Sequence, residues 1–139
     1  MKPRTVPLWT VLIATFAISA AQAGDETAID AIEVAAAEKY VAEHADAVIM
    51  DVRTPAEYEM SHITGAINVN VQSDDFETML ASLDKDKTYL VHCTRNPQNG
   101  RSSRALEAMQ SLGFKHLKSL EGGYLAWKEA DLPLTEVAN

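Results

Sequence analysis

The chain contains a single cysteine, Cys93, which stands where a short apolar run gives way to a polar loop. The run over 89–92 is typical of a β-strand, and helical spacing follows the loop from Arg101. A thiol between a strand end and a helix N-terminus meets converging backbone N–H groups and the favourable end of the helix dipole. Both lower the pKa of a thiol and favour its nucleophilic thiolate. Cys93 is therefore the candidate nucleophile.

A lone cysteine has two interpretations. It cannot form an internal disulfide, so its thiol is either buried and inert in the core or chemically employed. The histidines at His44, His92 and His116 have no metal-ligand spacing with one another or with Cys93. We therefore expect no metal and no cofactor.

Two charged residues end a second apolar run. Residues 47–52 are almost continuously apolar, which is typical of a strand buried on both faces of a parallel sheet. Asp51 and Arg53 lie at its end. Either they support the mouth of the Cys93 loop, with Arg53 holding Asp51 or an anion, or they form a structural ion pair.

Strands and helices alternate along the chain. The pattern predicts helices over 31–43, from 54, and over 73–83, 102–112 and 124–130, with strands over 47–52, 66–69, 88–92 and 115–120, a possible short strand at 32–34 and a turn at 61–65. Thr54, Pro55 and Glu57 form a capping box with proline at the first helical position. This alternation predicts a parallel α/β sheet, in which ligands bind beyond the carboxyl ends of the strands.

Residues 1–23 have the pattern of a secretory signal peptide. Lys2 and Arg4 precede an apolar run, which ends in a small-x-small cleavage motif at 21–23. The run is short for a membrane span, which needs about 20 residues, although an uncleaved anchor is the alternative. We expect a domain over 24–139 that is periplasmic or secreted.

The chain is acidic, with a formal net charge of −8 at pH 7. The expected leader contributes only cations, so the remainder is more negative still. An acidic surface argues against nucleic acid or an anionic membrane as partner, and we expect no stable membrane association after cleavage. An anionic substrate must then be attracted by local groups.

Three sequence blocks together resemble a single rhodanese domain, the sulfurtransferase family. The blocks are 51–58 with 62–68, Cys93 with Gly100-Arg101-Ser102, and 122–127 with 132–133. They occur in the order and at the spacings of that family, and they span about residues 30–134. The resemblance implies a parallel-stranded rhodanese-like sheet with helices on both faces.

The resemblance also implies a chemistry. In that family the cysteine thiolate takes a sulfane sulfur from thiosulfate or a persulfide donor, and a thiol or protein acceptor attacks the resulting persulfide. Cys93 is then the nucleophile and Arg101 the anion holder, with Gly100 and Ser102 beside it at the end of the loop, although Ser102 is also of a type that caps a helix. Arg95 either replaces or assists Arg101, or it is a solvated loop residue.

The loop departs from the family pattern in its length. Four residues usually separate the cysteine from the arginine, and the related cell-cycle phosphatases have five, whereas residues 94–100 make seven here. The segment 96–99 resembles an inserted turn. The longer loop either widens the cradle or folds away and leaves a small one. Phosphate or arsenate chemistry is therefore an alternative, as is a module that binds sulfur without turnover.

Overall fold

The computed structural model describes residues 28–137, so the expected signal peptide at 1–23 lies outside the described residues and stays a prediction. The elements in chain order are β1 (Ile29–Ile32), α1 (Val34–Glu43), β2 (Val48–Asp51), α2 (Pro55–Met60), β3 (Ser61–Ile63), β4 (Ile67–Asn68), α3 (Phe76–Ala81), β5 (Thr88–His92), α4 (Arg101–Ser111), β6 (His116–Leu120), α5 (Gly123–Glu129) and β7 (Leu134–Glu136). Within this described part, no helix combines the length and the apolar character that a membrane crossing requires.

Five strands form a parallel central sheet in the order β1-β6-β5-β2-β4. The strand β5 lies in the middle, and its last residue, His92, pairs with Asp51 of β2. Cys93 follows directly. The carboxyl ends of neighbouring parallel strands meet at one edge, so the sheet brings Asp51 and Cys93 to the same edge, and the predicted α/β sheet is confirmed.

The sheet has a hydrophobic core on each face. Tyr89 and Val91 of β5 pack with Leu106 of α4 on one face. Leu90 packs with Trp127 of α5 on the other. Side chains alternate along a strand, so consecutive apolar residues supply two cores, and the continuous apolar runs of the sequence follow from this arrangement. Helices on both faces, as expected, cover the sheet.

Two short regions differ from the prediction. Residues 61–65 were expected to form a turn, but Ser61–Ile63 forms β3, which pairs antiparallel with Leu134–Glu136. A strand of three residues is too short to show the alternation of apolar and polar side chains that predicts a β-strand. Its partner strand also lies at the far end of the chain. The first helix begins at Val34, because Ile29–Ile32 is an edge strand bound to β6.

The start of α2 follows the sequence rule. The hydroxyl of Thr54 accepts a hydrogen bond from the backbone N–H of Glu57 at 3.3 Å, and the Glu57 carboxylate accepts one from the backbone N–H of Thr54 at 3.0 Å. Pro55 occupies the first helical position. The predicted capping box is thus confirmed, and it fixes the Glu57 side chain at the edge of the sheet where Cys93 lies.

Candidate active site

Cys93 is almost buried, with 2% of its surface exposed, at the junction of β5 and the loop. Its Sγ lies 3.5 Å from the hydroxyl oxygen of Ser102, on the first turn of α4. Ser102 does not cap the helix, since Gly100 occupies that position. The interpretation of Ser102 as a cap is therefore wrong, and its hydroxyl faces the sulfur instead.

The surroundings of Cys93 favour its thiolate. Burial alone raises the pKa of the thiol. Hydrogen bonds from the Ser102 hydroxyl and from the backbone N–H groups of Ser102, Asn96 and Arg95 lower it, and the pKa is lowered on balance. Hydrogen bonds from Ser102 and from the loop thus favour the thiolate, which is the physical effect expected of a loop that leads into a helix N-terminus.

Asn96, predicted only as part of an inserted turn, anchors the loop. Its Oδ1 accepts a hydrogen bond from the Cys93 backbone N–H at 2.6 Å, and its Nδ2 donates to the Ser119 hydroxyl at 3.1 Å. The residue has a φ of 51°, in the left-handed region that asparagine tolerates. The sequence feature that could have indicated this anchoring role is an asparagine three residues after the cysteine.

The additional loop length forms an outward turn. The backbone N–H of Gly100 donates to the Pro97 carbonyl at 3.0 Å, and Asn99 has a φ of 60°. A Cβ atom on Gly100 would lie 2.8 Å from Cγ of Pro97, so the turn requires glycine there. The tips of this turn are exposed. Residues 97–99 of the insertion therefore turn outward into solvent, whereas Asn96 stays against Cys93.

Arg101 forms an ion pair with Glu57, a residue predicted only as part of a helix cap. Its Nη1 lies 2.6 Å from Oε2 of Glu57, and its Nη2 donates to Oε1 at 3.0 Å and to the Thr94 hydroxyl at 2.9 Å. The hydrogen bond from Arg101 is the main cause that lowers the pKa of Glu57 to about 2. No local spacing in the sequence relates these two residues.

Arg95 and Arg101 differ in what they offer to the sulfur. The side chain of Arg95 is exposed to solvent, and only its backbone N–H takes part in the cradle. The Arg101 side chain is part-buried beside the loop. The contribution of Arg95 to the candidate site is thus a main-chain one.

Asp51 and Arg53 form a buried ion pair. The Nη2 of Arg53 lies 2.7 Å from Oδ2 of Asp51, and it also donates to the Ser61 carbonyl at 2.7 Å. The guanidinium lies 4.1 Å from the centre of the Tyr124 ring. These contacts join the end of β2 to β3 and α5, and they favour the structural interpretation of this pair.

His92 is fully buried under the loop. Its Nδ1 lies 3.0 Å from the carbonyl oxygen of Cys93, and its Nε2 lies 4.0 Å from Oδ2 of Asp51. Burial is the main cause that lowers the pKa of His92, so the ring is neutral and donates from Nδ1 to the carbonyl. The ring thus supports the loop from below.

The third sequence block holds the loop from the other side. The backbone N–H groups of Tyr124 and Leu125 donate to the carbonyls of Cys93 and Thr94, at 2.9 and 3.0 Å. Gly123 has a φ of 62°, and a Cβ atom there would lie 2.7 Å from the Cys93 carbonyl oxygen. Close backbone approach therefore explains the glycine.

A surface cavity of about 800 Å³ opens beside Glu57 rather than over Cys93. Its lining includes Arg53, Glu57, Glu59, Met60, Tyr124 and Lys128. Solvent in this cavity reaches the Glu57 side of the ion pair with Arg101. Across residues 28–137 no group of three or more histidine, cysteine or acidic side chains is close enough to hold a metal ion.

Comparisons with known proteins agree with this architecture. The family model described as Rhodanese-like domain matches residues 33–130. A rhodanese-related protein from Thermoplasma volcanium, known from its crystal structure, superposes with a TM-score of 0.65 at 26% identity, covering 76% of this chain and 97% of that one.

Curated relatives carry more than one name. Thiosulfate sulfurtransferase GlpE of Coxiella burnetii is 34% identical over 84 residues, which cover 60% of this chain and 73% of the relative. Protein HIGH ARSENIC CONTENT 1, mitochondrial, of Arabidopsis thaliana is 34% identical over 91 residues, covering 58% of this chain and 52% of the relative. The chain spans about half the length of the first curated relatives that it matches. The fold, the cysteine loop and the family match together assign this chain to the rhodanese-like domain family.

Proposed function

We propose that this protein is a sulfurtransferase that moves a sulfane sulfur from thiosulfate or a persulfide to a thiophilic acceptor, through a persulfide on Cys93. The observation that supports this function is the position of the Cys93 sulfur, 3.5 Å from the Ser102 hydroxyl, in a loop whose hydrogen bonds lower the pKa of the thiol. A sulfur anion at the end of a short side chain needs several donors aimed at one place.

The reaction requires no external oxidant or reductant. The Cys93 thiolate attacks the outer sulfur of thiosulfate, a new S–S bond forms, and the bond to the sulfite group breaks with its electron pair leaving on sulfite. An acceptor thiolate or cyanide then attacks the terminal sulfur, and the Cys93 thiolate leaves with the electron pair of that bond. The chain has one cysteine, so no second thiol of its own can convert the persulfide into an internal disulfide.

Phosphate or arsenate chemistry at the same cysteine is the second candidate, since one relative is named for arsenic content. The outward turn at Pro97–Gly100 supports sulfur transfer over it. A tetrahedral oxyanion needs donors around the whole group, whereas the exposed residues 97–99 turn into solvent instead of lining a wider cradle. A module that binds sulfur without turnover uses the same geometry and differs only in rate.

Intact mass spectrometry tests the main proposal. Incubation of the reduced protein with thiosulfate should add one sulfur atom to the wild type, and cyanide should remove it as thiocyanate. The matched control is Cys93→Ser, which should gain no mass. Absence of both the adduct and thiocyanate formation contradicts the proposal, whereas a stable adduct with a cyanide rate near the uncatalysed one indicates a binding module.

The second candidate has its own assay. Cleavage of an activated aryl phosphate, or reduction of arsenate with added thiol, should not exceed the background rate in the wild type. A rate well above that of Cys93→Ser would establish oxyanion chemistry at this cysteine.

We further propose that the protein is exported, with residues 1–23 removed. The supporting pattern is the cationic start and the small-x-small motif before Gly24. N-terminal sequencing of the full chain expressed in a Gram-negative host should find a periplasmic species that begins at Gly24. Retention in the cytoplasm with Met1 or Lys2 at the N-terminus would contradict export.

A further inference from the structure

Two ion pairs neutralise the arginine side chains at the edge of the Cys93 loop. Arg53 is paired with Asp51 at 2.7 Å, and Arg101 with Glu57 at 2.6 Å. Each arginine thus meets its own carboxylate before any substrate arrives. This arrangement differs from an open cationic cradle, which would attract anions in proportion to their charge.

The Glu57–Arg101 pair is held at both ends. Both terminal nitrogens of Arg101 are engaged, one with Glu57 and the other with Glu57 and the Thr94 hydroxyl. The Glu57 carboxylate in turn accepts hydrogen bonds from the backbone N–H of Thr54 at 3.0 Å and its hydroxyl at 2.9 Å. The capping box therefore keeps the carboxylate against the guanidinium.

Both charges of this pair contact the residue that follows Cys93. The Nη2 of Arg101 donates to the Thr94 hydroxyl at 2.9 Å, and that hydroxyl donates to Oε1 of Glu57 at 3.3 Å. At the mouth of the loop the negative charge of Glu57 therefore opposes the positive charge of Arg101. A donor with two negative charges loses more by this opposition than a donor with one, because the Coulomb energy scales with the charge.

We propose that Glu57 is a specificity-determining residue that selects donors by charge, so that the site takes monoanionic sulfane-sulfur donors, such as alkyl persulfides and thiosulfonates, in preference to dianionic thiosulfate. This inference rests on the proposed sulfur transfer. The acidity of the whole chain, with a net charge of −8, acts in the same direction by repelling dianions more strongly.

The step is the same for both classes of donor. The Cys93 thiolate attacks the outer sulfur of an alkyl persulfide, the S–S bond of the donor breaks, and the electron pair leaves on the alkyl thiolate. With methanethiosulfonate the leaving group is methanesulfinate, and with thiosulfate it is sulfite. The last two donors present a terminal sulfur on a sulfonyl group and differ by one negative charge.

The experiment compares kcat/KM for thiosulfate and methanethiosulfonate, with cyanide as acceptor. Glu57→Gln should raise the thiosulfate value about tenfold relative to the methanethiosulfonate value, because Arg101 regains its uncompensated charge. Comparing this ratio between variant and wild type cancels the intrinsic reactivity of each donor. Glu57→Asp keeps the charge and should retain the wild-type ratio.

The matched control is Glu107→Gln. Glu107 is exposed on α4, outside the lining of the cavity beside Glu57, and its removal changes the net charge of the chain by the same amount. The donor ratio should stay within about twofold of the wild type, since an exposed charge away from the loop is screened. An equal shift in both Gln variants would contradict a specific effect of Glu57.

Two outcomes overturn the inference in distinguishable ways. If both donors add sulfur to Cys93 but Glu57→Gln changes their kcat/KM values equally, charge selection is wrong while sulfur transfer stands. If neither donor adds sulfur to the wild type, both proposals fail together.

A measurement on the wild type covers the case in which Glu57→Gln does not fold. Added salt should raise kcat/KM for thiosulfate, and raise it more steeply than for methanethiosulfonate, because screening weakens a net repulsion. A decrease in the thiosulfate value with salt would mean that the site attracts dianions, and it would overturn the inference.

Discussion

The two ion pairs at this edge of the sheet have similar distances but different environments. The carboxylate of Asp51 is fully buried, and Arg53 is 4% exposed. In the other pair the side chains of Glu57 and Arg101 are 35% and 23% exposed. Partners two residues apart thus form the buried pair, and partners 44 residues apart form the accessible one.

The difference indicates two kinds of function. Removing one partner of a buried pair leaves an uncompensated charge in a low dielectric, whereas solvent screens an exposed one. The Asp51–Arg53 pair therefore stabilises the fold by joining β2 to β3. The Glu57–Arg101 pair is accessible to solvent beside the Cys93 loop, and its charge balance can be changed at little structural cost.

The largest expected effect comes from breaking the buried pair. Arg53→Met leaves the buried Asp51 carboxylate unpaired, and it should lower the free energy of unfolding by about 3–5 kcal/mol in urea denaturation. Lys39→Met, which breaks the exposed pair with Glu43, is the control and should cost less than about 0.5 kcal/mol. A cost below about 1 kcal/mol for Arg53→Met would show that the buried pair is not required.

A smaller, pH-dependent effect is expected for Glu57. Its pKa is lowered from 4.5 to about 2 in the folded state, so its stabilisation is fully present above pH 4.5 and is lost as the pH falls toward about 2. The contribution is about 1 kcal/mol after discounting for solvent screening. The difference in unfolding free energy between wild type and Glu57→Gln should shrink as the pH falls below 4.5. A constant difference would mean that the carboxylate charge is not responsible.

Removing the cation of the accessible pair should cost less. Arg101→Met should lower the free energy of unfolding by less than about 1 kcal/mol, because both charges are screened. Arg104→Met, an exposed position on the same helix, serves as the comparison. If Arg101→Met costs as much as Arg53→Met, the distinction between the two pairs is wrong.

The smallest loss of unfolding free energy is expected at Ser102, where the informative measurement is the pKa of the Cys93 thiol. Ser102→Ala removes the hydroxyl at 3.5 Å from the Cys93 sulfur and should raise the pKa of that thiol toward its ordinary value. The rate of alkylation by iodoacetamide, measured against pH, should shift to higher pH. Ser103→Ala, whose hydroxyl contacts Pro97 instead, should leave the profile unchanged. No shift in Ser102→Ala would exclude the hydroxyl as a donor to the thiolate.

Much of the fold could be predicted because its signals are local. Continuous apolar runs marked the central strands, the Thr54–Glu57 box marked the start of a helix, and the order of strand, loop and helix marked Cys93. Each of these signals lies within a few residues of the feature it predicts. The strand pair β3–β7 was missed because its two segments are short and distant in the chain.

The sequence by itself determined the alternating α/β order and the position of the candidate nucleophile, Cys93, at the carboxyl edge of the sheet. Only the tertiary structure decided that Ser102 faces the sulfur, that Pro97–Gly100 turns outward, and that Glu57 neutralises Arg101. The physical reason is that periodicity and caps are properties of neighbouring residues. The charge that a substrate meets depends instead on strand register and on left-handed loop residues such as Asn96, which bring distant side chains together.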